Sequence, residues 1–496
     1  MRFLPLLLLA SLVTFAHAGK LITPPATPPV PDPIEGIWTG TITLPQGGTA
    51  ELGLLFYRSK PGPIIFRMSL PAMFVYDAEF KGEVANKGGG NYAIRSFVDL
   101  TLRLDGQRLT GTFGAAQMPL TLKRGGTFTP PPPAPRHPPA PAPLWTFNLG
   151  PGTWAPPVVA DGTIYIGTSA GQFHAVNAAD GRGLWTWLGV PIPIDGRAVV
   201  SGDTVYFLDT KTNLIALNRA DGTLRWSVAL HDEQLAGKTV APNPTFNHRA
   251  AFPLVIDGTI YCGSSDGGLY ALDAATGKKL WRHDAKAPIF SGIGRHDADT
   301  LSFGTMDGSV VLLDRHTRKE TFRVQTGGGV VTVPLVVGDK VIAGSRDYVL
   351  YGFNVADGSV AWRFSYLFSW IESTPVLRGG IIYAGASDYS RVSAIDPATG
   401  RAIWQTPVHG MNWGSPLVTE DTVFTGTVAQ NIPGTLIAHT GGIVALDRAT
   451  GAVKWQLLAA PAPENGFGGY AGTLALADDK VIAAGFDGKL IALPAK

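Results

Sequence analysis

The sequence predicts an all-β protein, an eight-bladed β-propeller of four-stranded blades preceded by a small antiparallel β-barrel or sandwich domain. Three observations carry this. An aromatic residue recurs at Trp145, Trp185, Trp226, Trp281, Phe322, Trp362, Trp404 and Trp455. Each full repeat holds four short apolar runs in about forty residues, the signature of a propeller blade. The composition agrees: 61 Gly and 39 Pro, with 16% charged residues, suit many strands and tight turns better than helices.

Residues 1–18 read as a secretory signal. Arg2 supplies the charged start, Leu4 to Phe15 the apolar run, and Ala16-His17-Ala18 a small-x-small cleavage site. The run is too short to span a bilayer comfortably, and no later segment is long enough. The expected mature chain begins at Gly19 and is exported to the periplasm or beyond the cell. No Cys follows the site, which leaves a lipid anchor without an attachment point. Loss of residues 1–18 removes only Arg2 and takes the formal charge from +2 to +1. That balance builds no field for nucleic acid or an anionic membrane, and a monomer without a transmembrane span is expected. The single Cys262 excludes an intramolecular disulfide, and its apolar strand marks it as an inert buried thiol.

After a Pro-rich segment (residues 19–33), residues 34–126 form a compact unit of strand-like runs such as "IWTGTITL", "ELGLLFYR" and "MPLTLKR". Alternation in "DLTLRLDGQRLTGTF", with Asp105-Gly106 between its runs, marks a hairpin. The opening "G-x-W-x-G" (Gly36, Trp38, Gly40) and the closing "L-x-G-T-x…P-L-T-L-x-R" resemble the lipocalin-like β-domain placed ahead of secreted α/β-hydrolases. That likeness covers about a fifth of the chain and implies no activity. Residues 127–143 contain "TPPPPAPRHPPAPAP", which favours polyproline II and reads as a semi-rigid spacer between domains.

Residues 144–496 carry the repeat. The intervals between the aromatics are 40 to 42 residues, apart from two of 55 and 51. Each unit runs from a Pro-preceded apolar strand through "TIYIG"-like and "LYALD"-like strands to a turn and the Trp strand. The turn opens on Asn or Asp and closes on Gly, as in "NAADG" and "DAATG"; the acceptor side chain bonds the turn's own backbone and Gly supplies positive φ. Only "DRHTR" at 314 lacks the Gly, in the blade that carries Phe322. The chain ends on three strands of a blade, while "PLWTFNLG" at 143–150 supplies a lone Trp strand. Pairing the two gives eight closed blades and hides both sheet edges.

The motif "LYALDAATGKKLW" (269–281) and its variants resemble the pyrroloquinoline-quinone (PQQ) repeat of quinoprotein-like propellers. That resemblance implies aromatics packed as staples between blades. It does not settle function, because the family includes quinone-dependent dehydrogenases and cofactor-free propellers such as the outer-membrane assembly lipoprotein. The dehydrogenases clamp the quinone between a Trp and a disulfide of adjacent cysteines, beside a calcium ion. One cysteine cannot form that disulfide, and Glu372, Asp195 and Asn412 are sparse ligands, so PQQ with calcium is not expected.

Two G-x-S-x-G matches, Gly167–Gly171 and Gly263–Gly267, fall in strand-to-strand turns rather than the strand-to-helix elbow of a hydrolase. No zinc, EF-hand or phosphate-loop spacing occurs. His248, His409 and His439 read as surface loop residues. What remains is geometry. In a four-stranded blade the second-to-third loops and the fourth-to-first connections share one face. Both long intervals fall there, in "HDEQLAGKTVAPNPTFNHRA" and "VAQNIPGTLIAHTGG". Trp154, Trp370, Trp413 and Tyr470 precede first strands and belong at the channel mouth on that face. Two readings compete for them, plugs that fill the channel and anchors for a ligand or peptide. The expected function is an exported, non-catalytic scaffold that binds a protein or peptide partner on the loop-rich face. The alternatives are a cofactor-dependent oxidoreductase and a carbohydrate-binding propeller.

Overall fold

The computed structural model describes residues 31–496 apart from 45–47, 59–61, 74, 81–82, 96–98, 115–116, 131–136, 190, 232–250, 367–368 and 431–439. The signal segment, His248, His439 and most of the two long loops lie outside the described residues.

Nine antiparallel strands, β1 (Gly36–Thr43) to β9 (Met118–Arg124), form one sheet around a single apolar core. Between them lie β2 (Thr49–Tyr57), β3 (Ile65–Leu70), β4 (Val75–Phe80), β5 (Glu83–Gly88), β6 (Asn91–Arg95), β7 (Leu100–Asp105) and β8 (Arg108–Phe113), and the strand order β4-β3-β2-β1-β9-β8-β7-β6-β5 curls the sheet as a half-barrel with β4 and β5 as its ends. The sandwich alternative is therefore corrected. The apolar residues alternate along one continuous sheet and need no second layer. The G-x-W-x-G opening has a local cause. Trp38 is fully buried, its indole N–H donates to Ile34 O at 2.8 Å, and the Arg124 guanidinium lies 4.3 Å from its ring centroid. A Cβ on Gly40 would stand 2.2 Å from Thr121 O across the β1–β9 ladder.

The propeller follows. Seven blades are consecutive four-stranded meanders: β11–β14 (158–188), β15–β18 (199–229), β19–β22 (254–284), β23–β26 (294–325), β27–β30 (335–365), β31–β34 (376–407) and β35–β38 (417–458). The eighth is built from β40–β42 (475–494) and β10 (Trp145–Asn148). β10 pairs antiparallel with β42 (Lys489–Pro494), Trp145 opposite Ala492 and Asn148 opposite Lys489. The N-terminal Trp strand thus closes the last blade, as the repeat count predicts.

Eight apolar clusters lie between blades, one at each junction around the ring. Each combines second- and third-strand residues from two neighbours, as where Tyr206, Leu208 and Leu214 meet Ile260, Cys262 and Leu272. Cys262 is fully buried there and burial drives its thiol pKa up, so it packs as a small apolar side chain.

The Pro-rich segment departs from the spacer expectation at its C-terminal end. Pro139 bridges Gln456 in parallel, Ala140 N donates to Gln456 O at 2.9 Å, and Gln456 N donates to Pro138 O at 3.0 Å. The segment therefore lies as a short fifth strand on the outer edge of β38 (Val453–Leu458). At its other end the Thr129 hydroxyl bonds Glu51 of the β-domain. Polyproline backbone is already extended, and its few free N–H and C=O groups suffice for two edge bonds.

Candidate functional site

The second-to-third loops and the fourth-to-first connections lie on one face, tied to each other by main-chain bonds. Ile194 N donates to Thr168 O at 3.0 Å, Met306 N to Pro288 O at 2.9 Å, and Arg346 N to Gly329 O at 2.9 Å. The two G-x-S-x-G segments are among these loops, where the Thr168 and Ser264 carbonyls accept from Gly171 N and Gly267 N in tight turns. No nucleophile elbow forms there.

The channel mouth on this face is aromatic. Trp154 stacks on Trp413 with centroids 5.2 Å apart and planes 17° from parallel. Phe467 and Phe486 meet Trp154 edge-on at 4.9 and 4.6 Å. Trp413 is 8% exposed and its indole N–H bonds the Ser387 hydroxyl. Tyr470 is 7% exposed, and burial pushes its phenol pKa up. Asn412 is fully buried; its amide donates to Thr425 Oγ1 and to Gly426 O (3.1 Å), and its carboxamide fills the space left by Gly385, where a Cβ would clash.

Below the stack lies a channel cavity of about 220 Å³, lined by Trp154, Asp195, Arg197, Phe252, Phe290 and Trp413 among others. Asp195 is buried, with Ser169 Oγ donating at 3.3 Å, and burial pushes its carboxyl up to about 7. The Arg197 guanidinium stands 5.8 Å from the Phe252 centroid. Trp154 and Trp413 close directly on each other, which leaves no gap for a quinone ring between them. No group of three His, Cys, Asp or Glu is placed to hold a metal ion among the described residues. The residues present do not fit a sandwiched quinone with calcium.

Of the predicted residues, Trp370 and Glu372 stand apart from this plug. Trp370 is half-buried, with the Arg346 guanidinium 4.7 Å from its ring centroid. The same guanidinium holds Glu372 Oε1 at 2.7 and 2.9 Å. Aromatic face, cation and carboxylate form one preorganised unit on the loop face. Sequence reasoning missed Arg346, Arg197, Phe252, Phe467 and Phe486. Arg346 follows the second strand of its blade, and only its loop position could have signalled it.

Blade seven adds relief to this face. Its second strand, β36 (Thr422–Gln430), overruns the blade and pairs with β39 (Phe467–Gly469), Val428 opposite Gly469. That ladder places Phe467 over the tryptophan stack. The overrun of β36 and the connection that carries β39 thus help to build the plug.

The sequence profile of the outer membrane protein assembly factor BamB family matches residues 138–189, 191–295, 265–367 and 368–496, which spans the propeller and leaves out the β-domain. BamB of Shewanella oneidensis is 25% identical over 293 residues, 56% of this chain and 65% of that protein. The match spans between half and two thirds of the first three such relatives. Quinohemoprotein alcohol dehydrogenase ADH IIB of Pseudomonas putida is 36% identical over 135 residues, only 23% of this chain and 20% of that one. The crystal structure of BamB from Moraxella catarrhalis shares the fold, with a TM-score of 0.53 at 17% identity over 71% of this chain and 97% of that chain.

Proposed function

The chain belongs to the outer membrane protein assembly factor BamB family, and on that premise we propose that it is a non-catalytic periplasmic scaffold that holds a protein or peptide partner on its loop face. The relatives' name supplies the process, assembly of outer membrane proteins, and for this chain that process is part of the proposal. The observation that carries the binding role is the Trp370–Arg346–Glu372 unit. It offers a half-buried ring for packing and a carboxylate already fixed in place, so ordering it on binding costs little. Trp154, Trp413, Asn412 and Tyr470 support the loops from beneath.

The test compares two tryptophans in the full exported chain. Trp370→Ala is expected to weaken retention of a partner captured from envelope extract by roughly thirtyfold, the size of a buried interface tryptophan, with an unchanged melt. Trp413→Ala is expected to lower the melting temperature, because it opens a cavity in the plug. Retention of every captured protein equally by wild type and Trp370→Ala would defeat the reading.

A further inference from the structure

The turn before each outer strand repeats one geometry seven times. Its last residue has φ of +75, +73, +71, +71, +68 and +74° at Gly181, Gly222, Gly277, Gly358, Gly400 and Gly451. In blade four the same position is Arg318, at φ +62°. This left-handed conformation strains any residue with a Cβ, and the neighbouring blades show that glycine serves the turn. The arginine brings charge that the turn does not need.

That charge is not isolated. Arg318 reaches back over the junction, its guanidinium 5.7 Å from the centroid of Trp281 on blade three. Lys319 follows it; on blade three the matching positions are Gly277 and Lys278, and Lys279 comes next, where blade four has Glu320. All four cations are exposed, and none makes an ion pair among the described residues; the Lys279 ammonium, 5.0 Å from the Tyr270 ring centroid and donating to His231 O at 3.4 Å, turns towards blade two. Nearby carboxylates are engaged: Glu320 by Arg323 and His283 at 2.7 and 2.8 Å, and Asp284 by Lys286 at 2.7 Å. Over the turn residue and the two positions after it, blades three and four supply two cations each and the other blades at most one, Arg182 on blade one and Arg401 on blade six. Leu280, 49% exposed, follows Lys278 and Lys279 in the chain.

The outer edge of the same blade offers main chain. On blade seven, Gln456 takes the extended segment Pro138–Ala140 through its N–H and C=O. The register of the repeat, Ala271 opposite Trp281 and Ala445 opposite Trp455, puts Arg282 of β22 (Lys279–Asp284) at the position of Gln456. Nothing pairs with the outer edge of β22 among the described residues.

We propose that the junction of blades three and four is a second interaction surface, which takes an extended acidic segment of a partner protein along the outer edge of β22. The segment adds as a fifth strand, its carboxylates meet Lys278, Arg318 and Lys319, and an apolar side chain covers Leu280. Main-chain pairing gives affinity and the flanking charges give selectivity. A bilayer offers headgroup charge but no main chain, and so meets half of this surface. The inference is independent of the loop-face reading.

The test uses the full chain and a fluorescein-labelled (Glu-Thr)₆ peptide in an anisotropy titration. Saturable binding that weakens with salt is expected. Lys278→Glu/Lys319→Glu should lose at least tenfold in affinity, whereas Arg182→Glu/Arg401→Glu, with the same change in net charge, should bind as wild type. Arg318→Gly should bind about threefold more weakly with a melting temperature unchanged or raised. Trp370→Ala should leave peptide affinity untouched. Equal loss in both double variants would reduce the effect to net charge and overturn the site. Binding to vesicles of phosphatidylglycerol and phosphatidylethanolamine (about 30:70) without binding to the peptide would overturn it in favour of a lipid surface.

Discussion

Trp362 shows how one residue type carries most of the ring. Its indole N–H donates to Pro397 O of the next blade's turn at 2.9 Å, and its ring packs against Gly400. Trp145, Trp185 and Trp404 repeat the bond, to Ala178 O, Arg219 O and Arg448 O at 3.0 to 3.2 Å. Trp226 departs from this: its N–H has no partner among the described residues, and Tyr206 donates to Ala274 O. The turn glycine thus has two duties, positive φ and room for the previous blade's indole. A Cβ at Gly400 would lie 2.5 Å from Trp362 Cδ2 at φ +68°. Gly400→Ala should therefore cost about 2–4 kcal/mol, from left-handed strain plus overpacking, and Trp362→Ala about 3–5 kcal/mol, both read by denaturant titration. Asp195 makes a pH prediction. Burial raises its folded pKa to about 7 from 3.8, so the folded state keeps a proton that the unfolded state releases. Stability contributed by this group is full below about pH 4 and falls as pH rises to about 7. Asp195→Asn should leave stability unchanged at pH 4 and raise it at pH 8 by up to a few kcal/mol, at ~1.4 kcal/mol per pKa unit. A parallel pH profile for variant and wild type would refute this.

Seven of the eight outer strands, all but β10, carry a β-bulge immediately before the aromatic, from Ala175/Val176 opposite Trp185 and Gly183 to Ala445/Leu446 opposite Trp455 and Val453. A bulge bends the strand and increases its twist, which re-aims the aromatic towards the next blade. Leu184, Leu280 and Ile403 occupy the extra position, which is why residues so apolar are 42 to 51% exposed. On blade seven the bulged edge is covered instead by Pro138–Ala140, and Ala140 packs beside Trp455. A chain truncated to begin at residue 144 loses that clasp and two main-chain bonds, and should melt a few degrees below one beginning at residue 137. Identical melts would show that the clasp contributes nothing.

Apart from the aromatic plug at the channel mouth, the apolar core of the propeller is divided among the blade junctions. Its stability is a ring of eight junctions, each buried between two sheets, and a ring resists opening only while every junction is closed. β10 supplies Trp145 and Phe147 to the junction of blades eight and one. A chain beginning at residue 150 loses that strand, exposes the edge of β42 and should aggregate or melt far below the 144-start chain. The size of that second step against the first measures closure apart from the clasp. The same architecture separates the two interaction surfaces proposed for this molecule. The loop face gathers connections from all eight blades, whereas the cationic surface belongs to one junction on the outer rim.

The blade count, the closing strand and the divergence of blade four were all legible in the residues. Their causes are local: alternation of period two, a turn that needs positive φ, and an aromatic at constant phase, repeated until chance was excluded. The half-barrel, the clasp and the fate of the mouth aromatics were not. Trp154 and Trp413 lie more than 250 positions apart and precede first strands in the same way as Trp370, yet they stack on each other while Trp370 stays half-exposed beneath Arg346. Nothing in the neighbouring sequence distinguishes them. Their environments were decided when ring closure brought blades one, seven and eight together, and when β36 and β39 set Phe467 over the pair. Local sequence specifies the conformation of a segment; burial depends on which distant segments share its space, and that is settled only by tertiary packing.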